Sequence, residues 1–313
     1  MVLQVETEAD KFSIDNNGVL STTAKLDYET KANYSVQLSL SDGTNRDQAV
    51  VEVEVLDVND NSPMFAVNPI IVRISEDAKD GENVTMVTAS DADAGYNGEV
   101  RYSLQGDGGR FSVNPVSGVI TVATPLDREE QDEINLEVIA MDQGRPARSA
   151  TATVVVTVTD VNDNKPVFSM TQYYITVSEV DEPGLLLANL TATDKDEGMN
   201  ADVSYHIAKQ DPATTPPAFK LDVSTGGLTL EEKLDYGIAK RFILTVEAVD
   251  GGTPALTGNT MVTVQVDDVN NNPPEFSQER YDVAVPENLA GGAVLVSLEV
   301  TDKDKVRKDM EKV

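Results

Sequence analysis

The heptapeptide Asp57-Val-Asn-Asp-Asn-Ser-Pro63 returns as Asp160-Val-Asn-Asp-Asn-Lys-Pro166 and, with Asn271 in place of the second Asp, as Asp268-Val-Asn-Asn-Asn-Pro-Pro274. The copies lie 103 and 108 residues apart. A motif that recurs at the length of a small domain marks each period as one structural unit. A second landmark keeps step with it: Leu26-Asp-Tyr-Glu29, Leu126-Asp-Arg-Glu129 and Leu234-Asp-Tyr-Gly237 precede the heptapeptides. From the Asp of each pair to the next heptapeptide the gap is 30, 33 and 33 residues. The 313 residues therefore divide into a partial unit at 1–62, complete units at 63–165 and 166–273, and a partial unit at 274–313. The first fragment lacks the opening strands and the last holds only those, so both expose sheet edges and should be less stable than the middle pair.

Within a unit the pattern is that of strands. Ala49-Val-Val-Glu-Val-Glu-Val55 puts Val51, Val53 and Val55 on one face and Glu52 and Glu54 on the other, the period-two signature of a half-buried strand. Similar runs at 84–89, 100–104, 119–122, 134–140 and 152–159 are separated by turn signals such as Gly106-Asp-Gly-Gly109 and Asp142-Gln-Gly-Arg-Pro146. No convincing helix is present. About seven short strands per unit predict an all-β chain of tandem seven-stranded Greek-key, immunoglobulin-like β-sandwiches. Cysteine and tryptophan are absent, so these are not true immunoglobulin domains.

Lys and Arg number 24 against 54 Asp and Glu, a formal charge of −30. A surface so acidic repels phosphate backbones and anionic lipid and attracts cations. Hydrophobic residues make up 40% of the chain, enough to fold despite that charge. No run approaches the ~20 apolar residues of a membrane span, and the N-terminus lacks the basic and apolar regions of a signal peptide. The protein is then either soluble throughout or an internal piece of a longer one.

Much of the acidity gathers where units meet. Each heptapeptide ends a unit, and its proline stiffens entry to the next. A second cluster opens each following unit: Asp91-Ala-Asp93 with Asn97, Asp194-Lys-Asp196 with Asn200, and Asp302-Lys-Asp304. Glu76, Glu179 and Glu287 close the first strands, and Asp142 and Asp250 lie in Asp-x-Gly-x-Pro turns. Oxygens alone, many of them anionic, suit Ca²⁺, which takes 6–8 such ligands in flexible geometry. Mg²⁺, demanding a near-ideal octahedron, suits the set less well. An EF-hand is excluded, since its sixth position would be Tyr96 or Met199 instead of Gly and its twelfth Tyr102 or Tyr205 instead of Glu.

Together Asp-x-Asn-Asp-Asn-x-Pro, Leu-Asp-Arg-Glu, Asp-x-Asp-x-Gly-x-Asn and Pro-Glu-Asn resemble the cadherin extracellular repeat, over the whole chain. The uninterrupted repeats and the missing cysteine look more like protocadherins or Fat-like cadherins than short adhesion cadherins. The resemblance implies calcium-dependent adhesion or recognition, homophilic or heterophilic, by a rod of sandwiches outside the cell. It also implies three Ca²⁺ at each well-formed linker, other cadherin ectodomains as partners, and a parent chain anchored in the plasma membrane. Carried over by position, the linker after the first complete unit draws Glu76, Asp127, Glu129 and Asp163 around two ions. Asn162, Asn164, Asp194, Asp196, Asn200 and Asp250 surround the third, with Asp196 also reaching the second and Val161 offering its carbonyl. The linker near 60 matches with Asp27, Glu29, Asn59, Asp60, Asn61, Asp91, Asp93, Asn97 and Asp142, its first-strand Glu falling before Met1. Near 270 the set is Glu179, Asp235, Asn270, Asn272, Asp302 and Asp304. Gly237 and Asn271 stand there in place of carboxylates, and Lys305-Val-Arg-Lys308 in place of Gly-x-Asn. That linker is expected to bind fewer ions, or bind them weakly, and to bend.

Three glycosylation sequons begin at Asn33, Asn83 and Asn189. The lone histidine, His206, reads as a strand-surface residue, and the charged stretch from Lys303 to Lys312 as a solvated end. An enzyme using Asp127 and Glu129 as a carboxylate pair is a poor alternative. The pair recurs as Asp27 and Glu29 at the unit period, and one His with no Cys builds no nucleophile and base. A calcium-stiffened spacer without an adhesive face is the stronger alternative. Strand exchange through an N-terminal Trp is excluded, there being none.

Overall fold

The computed structural model describes residues 2–106, 108–302 and 304. Among them the regular structure is strand, the one helical element being a single 3-10 turn at Gly198–Ala201. Contacts divide it into two compact units, Met1–Asp160 and Val161–Val313. The charged stretch at 305–312 lies outside the described residues.

In the first unit, β1 (Val2–Val5), β4 (Asn33–Ser41) and β5 (Arg46–Glu54) form an antiparallel sheet, and β2 (Phe12–Ile14) pairs with β3 (Leu20–Thr22). Their small core is Phe12, Tyr34 and Val36. Residues 63–159 then complete a sandwich of β6 (Met64–Phe65), β7 (Ile70–Ser75), β8 (Asn83–Met86), β9 (Ala89–Ser90), β10 (Arg101–Gln105), β11 (Phe111–Val113), β12 (Val119–Val122), β13 (Glu133–Met141) and β14 (Ser149–Thr159). One sheet has the order β10-β13-β14-β7 and the other β11-β12-β8, with β6 paired to β9. Counting the interrupted pairs β6/β7 and β8/β9 as one strand each gives seven.

The second unit repeats this plan with β15 (Val167–Phe168), β16 (Gln172–Ser178), β17 (Leu186–Asn189), β18 (Ala192–Thr193), β19 (Ser204–Asp211), β20 (Phe219–Leu221), β21 (Gly227–Leu230), β22 (Arg241–Val249) and β23 (Thr257–Asp267). Its sheets run β16-β23-β22-β19 and β17-β21-β20. Beyond them β24 (Glu275–Phe276) pairs with β25 (Val300–Thr301), and Phe276 is exposed there.

Alternation fills each core. In β13 Ile134, Leu136, Val138 and Ala140 point inward, and in β14 Ala152, Val154, Val156 and Val158 do so, meeting Ile120, Val122 and Phe111 from the other sheet. Each fully buried Leu or Val contributes roughly 1.5–3 kcal/mol. The run at 84–89 differs from an unbroken strand because Val87 steps out of the ladder: its N–H bonds Gly118 O at 2.9 Å. Gly118, at φ +70, lies so close that a Cβ would stand 2.2 Å from Val87 O. Leu190 and Gly226 repeat this contact, at 2.0 Å and φ +68.

One pairing decides where the acids go. β7 lies parallel to β14, Ile70 to Ser75 matching Val154 to Thr159, so both strands end together. Glu76 then follows β7 beside the end of β14, its N–H bonding Thr159 O at 3.1 Å. β16 and β23 pair in the same way, and Glu179 N bonds Asp267 O at 3.1 Å. The parallel pair thus delivers the first-strand glutamate to the heptapeptide.

Two outcomes check this fold. Leu244→Ala, at a fully buried site, should destabilise the second unit by about 2–5 kcal/mol in denaturant titration. The Asp222 turn should titrate: its Oδ1 accepts from Thr225 N and Oγ1 and from Ser224 N and Oγ, the Thr225 amide foremost, which lowers its pKa to about 2. A depressed carboxyl stabilises above its unfolded value of about 3.9. The melting-temperature gap between wild type and Asp222→Ala should therefore be full at pH 7 and vanish as pH falls from about 4 to 2.

Candidate metal centres

At the first junction Glu29, Asp60 and Asp93 each bring a carboxylate oxygen within 4.8 Å of the others. The heptapeptide backbone places them. Asn61 donates from its N–H (3.1 Å) and from Nδ2 (2.6 Å) to Asp93, while Asp93 N–H bonds Asp91 Oδ1 at 3.0 Å. Asn59, 8% exposed, turns its amide nitrogen to Asp142 Oδ1 (3.1 Å) and Pro146 O (2.7 Å). Its carbonyl oxygen therefore faces the other way. Gly144 permits this, since a Cβ there would lie 2.1 Å from Asn59 Nδ2. Asp142, 3% exposed, also accepts the N–H groups of Gly144 and Arg148.

Asp27 caps its own turn through Glu29 N, Thr30 N and Thr30 Oγ1. The Thr30 hydroxyl, followed by the Glu29 carboxyl, holds Asp27 below the usual carboxylate range. Glu29 is pushed above it: its own amide N–H pulls it down, but desolvation and the crowding carboxyls of Asp27 and Asp57 prevail.

In the remainder of the first unit Glu76, Asp127 and Glu129 form a second group within 4.8 Å, with Glu76 only 7% exposed. The Arg128 N–H bonds Glu76 Oε2 at 2.8 Å. In the second unit Asn162, Asn164, Asp194, Asp196 and Asp250 reproduce the lower arrangement of the first junction. Asn162 Nδ2 meets Asp250 Oδ1 (3.2 Å) and Pro254 O (2.7 Å), with Gly252 making the room. Asn164 Nδ2 meets Asp196 Oδ1 and Asp163 Oδ1, both at 2.8 Å, and Asp196 N bonds Asp194 Oδ1 at 3.1 Å. The Val161 carbonyl accepts Asp163 N–H at 2.8 Å. Asn200 bonds Glu197 O through its N–H. Asn97, its counterpart in the first unit, gives Nδ2 to Asp57 Oδ2 at 2.9 Å.

Near 270 the group within 4.8 Å is Glu179, Asp268 and Asp304. Both Glu179 oxygens are engaged, by Tyr236 N at 2.9 Å and Val269 N at 2.8 Å. Asn272 donates twice to Asp304, and Asp304 N bonds Asp302 Oδ1 at 3.0 Å. Asp235 caps Gly237 and Ile238, while Asn270 and Glu287 are exposed and stand outside this group.

Missing from the sequence-based ligand set are Asp57, Asp160 and Asp268, the first residue of each heptapeptide. Asp57 Oδ2 accepts Ala94 N and Asn97 Nδ2, Asp160 has an oxygen within 4.8 Å of one from Glu129, and Asp268 anchors the last group. Their recurrence in all three copies was the available signal.

A cation would answer a specific deficit. Asp57 Oδ1, Asn59 Oδ1, Asp91 Oδ2, Asn162 Oδ1 and Asp194 Oδ2 are buried and accept no hydrogen bond. Buried Glu129 Oε1 meets the Arg128 guanidinium at 2.6 Å. An unpaired buried acceptor costs about 1–3 kcal/mol, more when charged. Every one of these atoms is an oxygen, the donor type of hard divalent ions, so the residues present fit calcium.

A family model described as "Cadherin domain" matches residues 70–159 and 173–267. The chain belongs to the cadherin family. It is 39% identical over 300 residues to human "Protocadherin Fat 1", covering 95% of this chain and 6% of that protein. It is 37% identical over 301 residues to the Drosophila melanogaster "Fat-like cadherin-related tumor suppressor homolog", again covering 95% and 6%. This cadherin segment thus spans a small fraction of the length of these relatives. Among solved structures, "Protocadherin gammaB7 EC3-6 cis-dimer structure" is 31% identical with a TM-score of 0.83, covering 97% of this chain and 77% of that one. "Mouse Cadherin-23 EC22-24" is 33% identical with a TM-score of 0.76, covering 86% of each.

Asp57→Asn keeps the shape but removes a charge beside Glu29. In chelator it should raise the melting temperature of the first unit by about 2–4 °C, as about 1 kcal/mol of repulsion would. Added calcium should raise it less than it raises the wild type.

Proposed function

We propose that this segment is a calcium-stiffened extracellular stretch of a larger adhesion cadherin, divided into repeats at 1–62, 63–165, 166–273 and 274–313. The observation that carries the proposal is the set of buried oxygens left without donors at the junctions. Asp27, Glu29, Asp57, Asn59, Asp60, Asn61, Asp91, Asp93 and Asp142 would hold Ca²⁺ in the first. Glu76, Asp127, Glu129 and Asp160 would do so in the first unit, and Asn162, Asp163, Asn164, Asp194, Asp196, Asn200 and Asp250 in the second. Calcium supplies the positive charge that lets these carboxylates stay together out of water. The heptapeptide supplies order: Asn59, Asn61, Asn162, Asn164 and Asn272 each fix an acidic partner through the amide nitrogen, and Asn59 and Asn162 leave a buried oxygen for the ion.

Near residue 270, Glu179, Asp268 and Asp304 retain one acidic group, while Gly237 and Asn271 remove two carboxylates. Fewer or weaker ions are proposed there. The natural partners are other cadherin ectodomains, of the same or a related molecule; the gammaB7 relative is described as a cis-dimer. Asn33, Asn83 and Asn189 are exposed on strands and open to glycans on the extracellular side of the plasma membrane. No catalytic role is assigned.

Two measurements test this. Calorimetric melting in calcium and in chelator should differ, each site contributing about 2.7 kcal/mol at a hundredfold excess over its Kd; identical melts would contradict calcium binding. Beads carrying the parent ectodomain should aggregate in calcium and lose that aggregation when residues 63–273 are deleted. Retained aggregation would make the segment a spacer.

A further inference from the structure

The third residue of the Leu-Asp-x-Glu landmark differs among the three repeats: Tyr28, Arg128 and Tyr236. Its backbone role is shared. Arg128 N–H bonds Glu76 Oε2 at 2.8 Å and Tyr236 N–H bonds Glu179 Oε2 at 2.9 Å. The side chains part company. Tyr236 carries the Lys240 ammonium over its ring at 5.2 Å. Arg128 instead turns into the acidic group, with Nε on Asp160 Oδ1 at 2.7 Å and Nη2 on Glu129 Oε1 at 2.6 Å. All three side chains are nearly out of water, at 13%, 11% and 13% exposure for Arg128, Asp160 and Glu129. At the first junction Lys25 meets the heptapeptide acid Asp60 at 3.3 Å, from a Lys side chain 85% exposed, where solvent and salt reduce its worth to little.

We propose that Arg128 is a built-in counter-cation of its junction. A guanidinium cannot lose its charge, and its planar fork bonds two carboxylates at once. When calcium is scarce it keeps Glu129 and Asp160 paired and in place. When calcium arrives it is a positive charge one carboxylate away from a divalent ion, and so it weakens binding. Arg128 thereby exchanges calcium affinity for order in the ion-free state, an exchange that Tyr28 and Tyr236 do not make. The inference rests on the proposed calcium sites.

The test uses the full chain as wild type, Arg128→Gln and Arg128→Lys, with Arg128→Tyr as a second neutral variant whose residue the sister repeats already carry. Calcium titration by calorimetry should show one class of sites tightened by about tenfold in Arg128→Gln and Arg128→Tyr, as loss of a charge at a partly screened distance predicts. Melting in chelator should be lowered in both, with Arg128→Lys lying between them and wild type. Unchanged or weakened calcium binding in the neutral variants would overturn the proposal, as would an unchanged melt in chelator. A wild type that takes up no calcium would instead overturn the calcium sites themselves, and the chelator melts would still decide whether Arg128 holds the carboxylates.

Discussion

Carboxylates placed within 4.8 Å of one another, several of them withdrawn from water, are the constraint around which each junction is organised. Left alone, such groups repel and lack donors; Asp57, Asp91 and Asp194 each keep a buried oxygen with no hydrogen bond. Evolution usually removes deficits of this size from a core. Here they recur in register, which is what supports the proposed cation sites. The sandwiches need no such help, since Leu136, Val154, Leu244 and Val264 close dry cores from ordinary strand alternation.

Two structural devices bring the acids together. Parallel pairing of the first and last long strands makes Glu76 and Glu179 end where the heptapeptides begin. The heptapeptide then works through Asn59 and Asn162, whose amide nitrogens bind Asp142 and Asp250 while their carbonyl oxygens stay unsatisfied. Glycine is needed at 144 and 252 for a steric reason, because any Cβ would collide with Asn59 or Asn162.

The fold class was legible because alternation in Ala49 to Val55 and in Ala152 to Thr159 is strict, and because a repeat period fixes domain size independently of strand detail. Most of the acid clusters were legible for the same reason. Less visible were features that depend on contact at a distance. Nothing local in 84–89 shows that Val87 leaves its ladder, since the cause is Gly118 approaching from 31 positions away. Asp57, Asp160 and Asp268 are hard to read as ligands because an Asp at the head of a turn has a local structural use of its own. Only the fold shows that their carboxylates lie beside other acids. The placement of the Arg128 guanidinium is likewise set by the fold, which brings Asp160 to it from 32 positions away.

The most direct test of the central claim is an anomalous difference map from crystals of the protein grown with Ca²⁺ or a lanthanide substitute. The account predicts peaks about 2.3–2.6 Å from oxygens of Glu29, Asp57, Asp60 and Asp93, and from those of Glu76, Asp127 and Glu129. It also predicts that Asn59 and Asn162 turn their carbonyl oxygens toward an ion. Crystals saturated with the ion yet showing no peak at these carboxylates would contradict it.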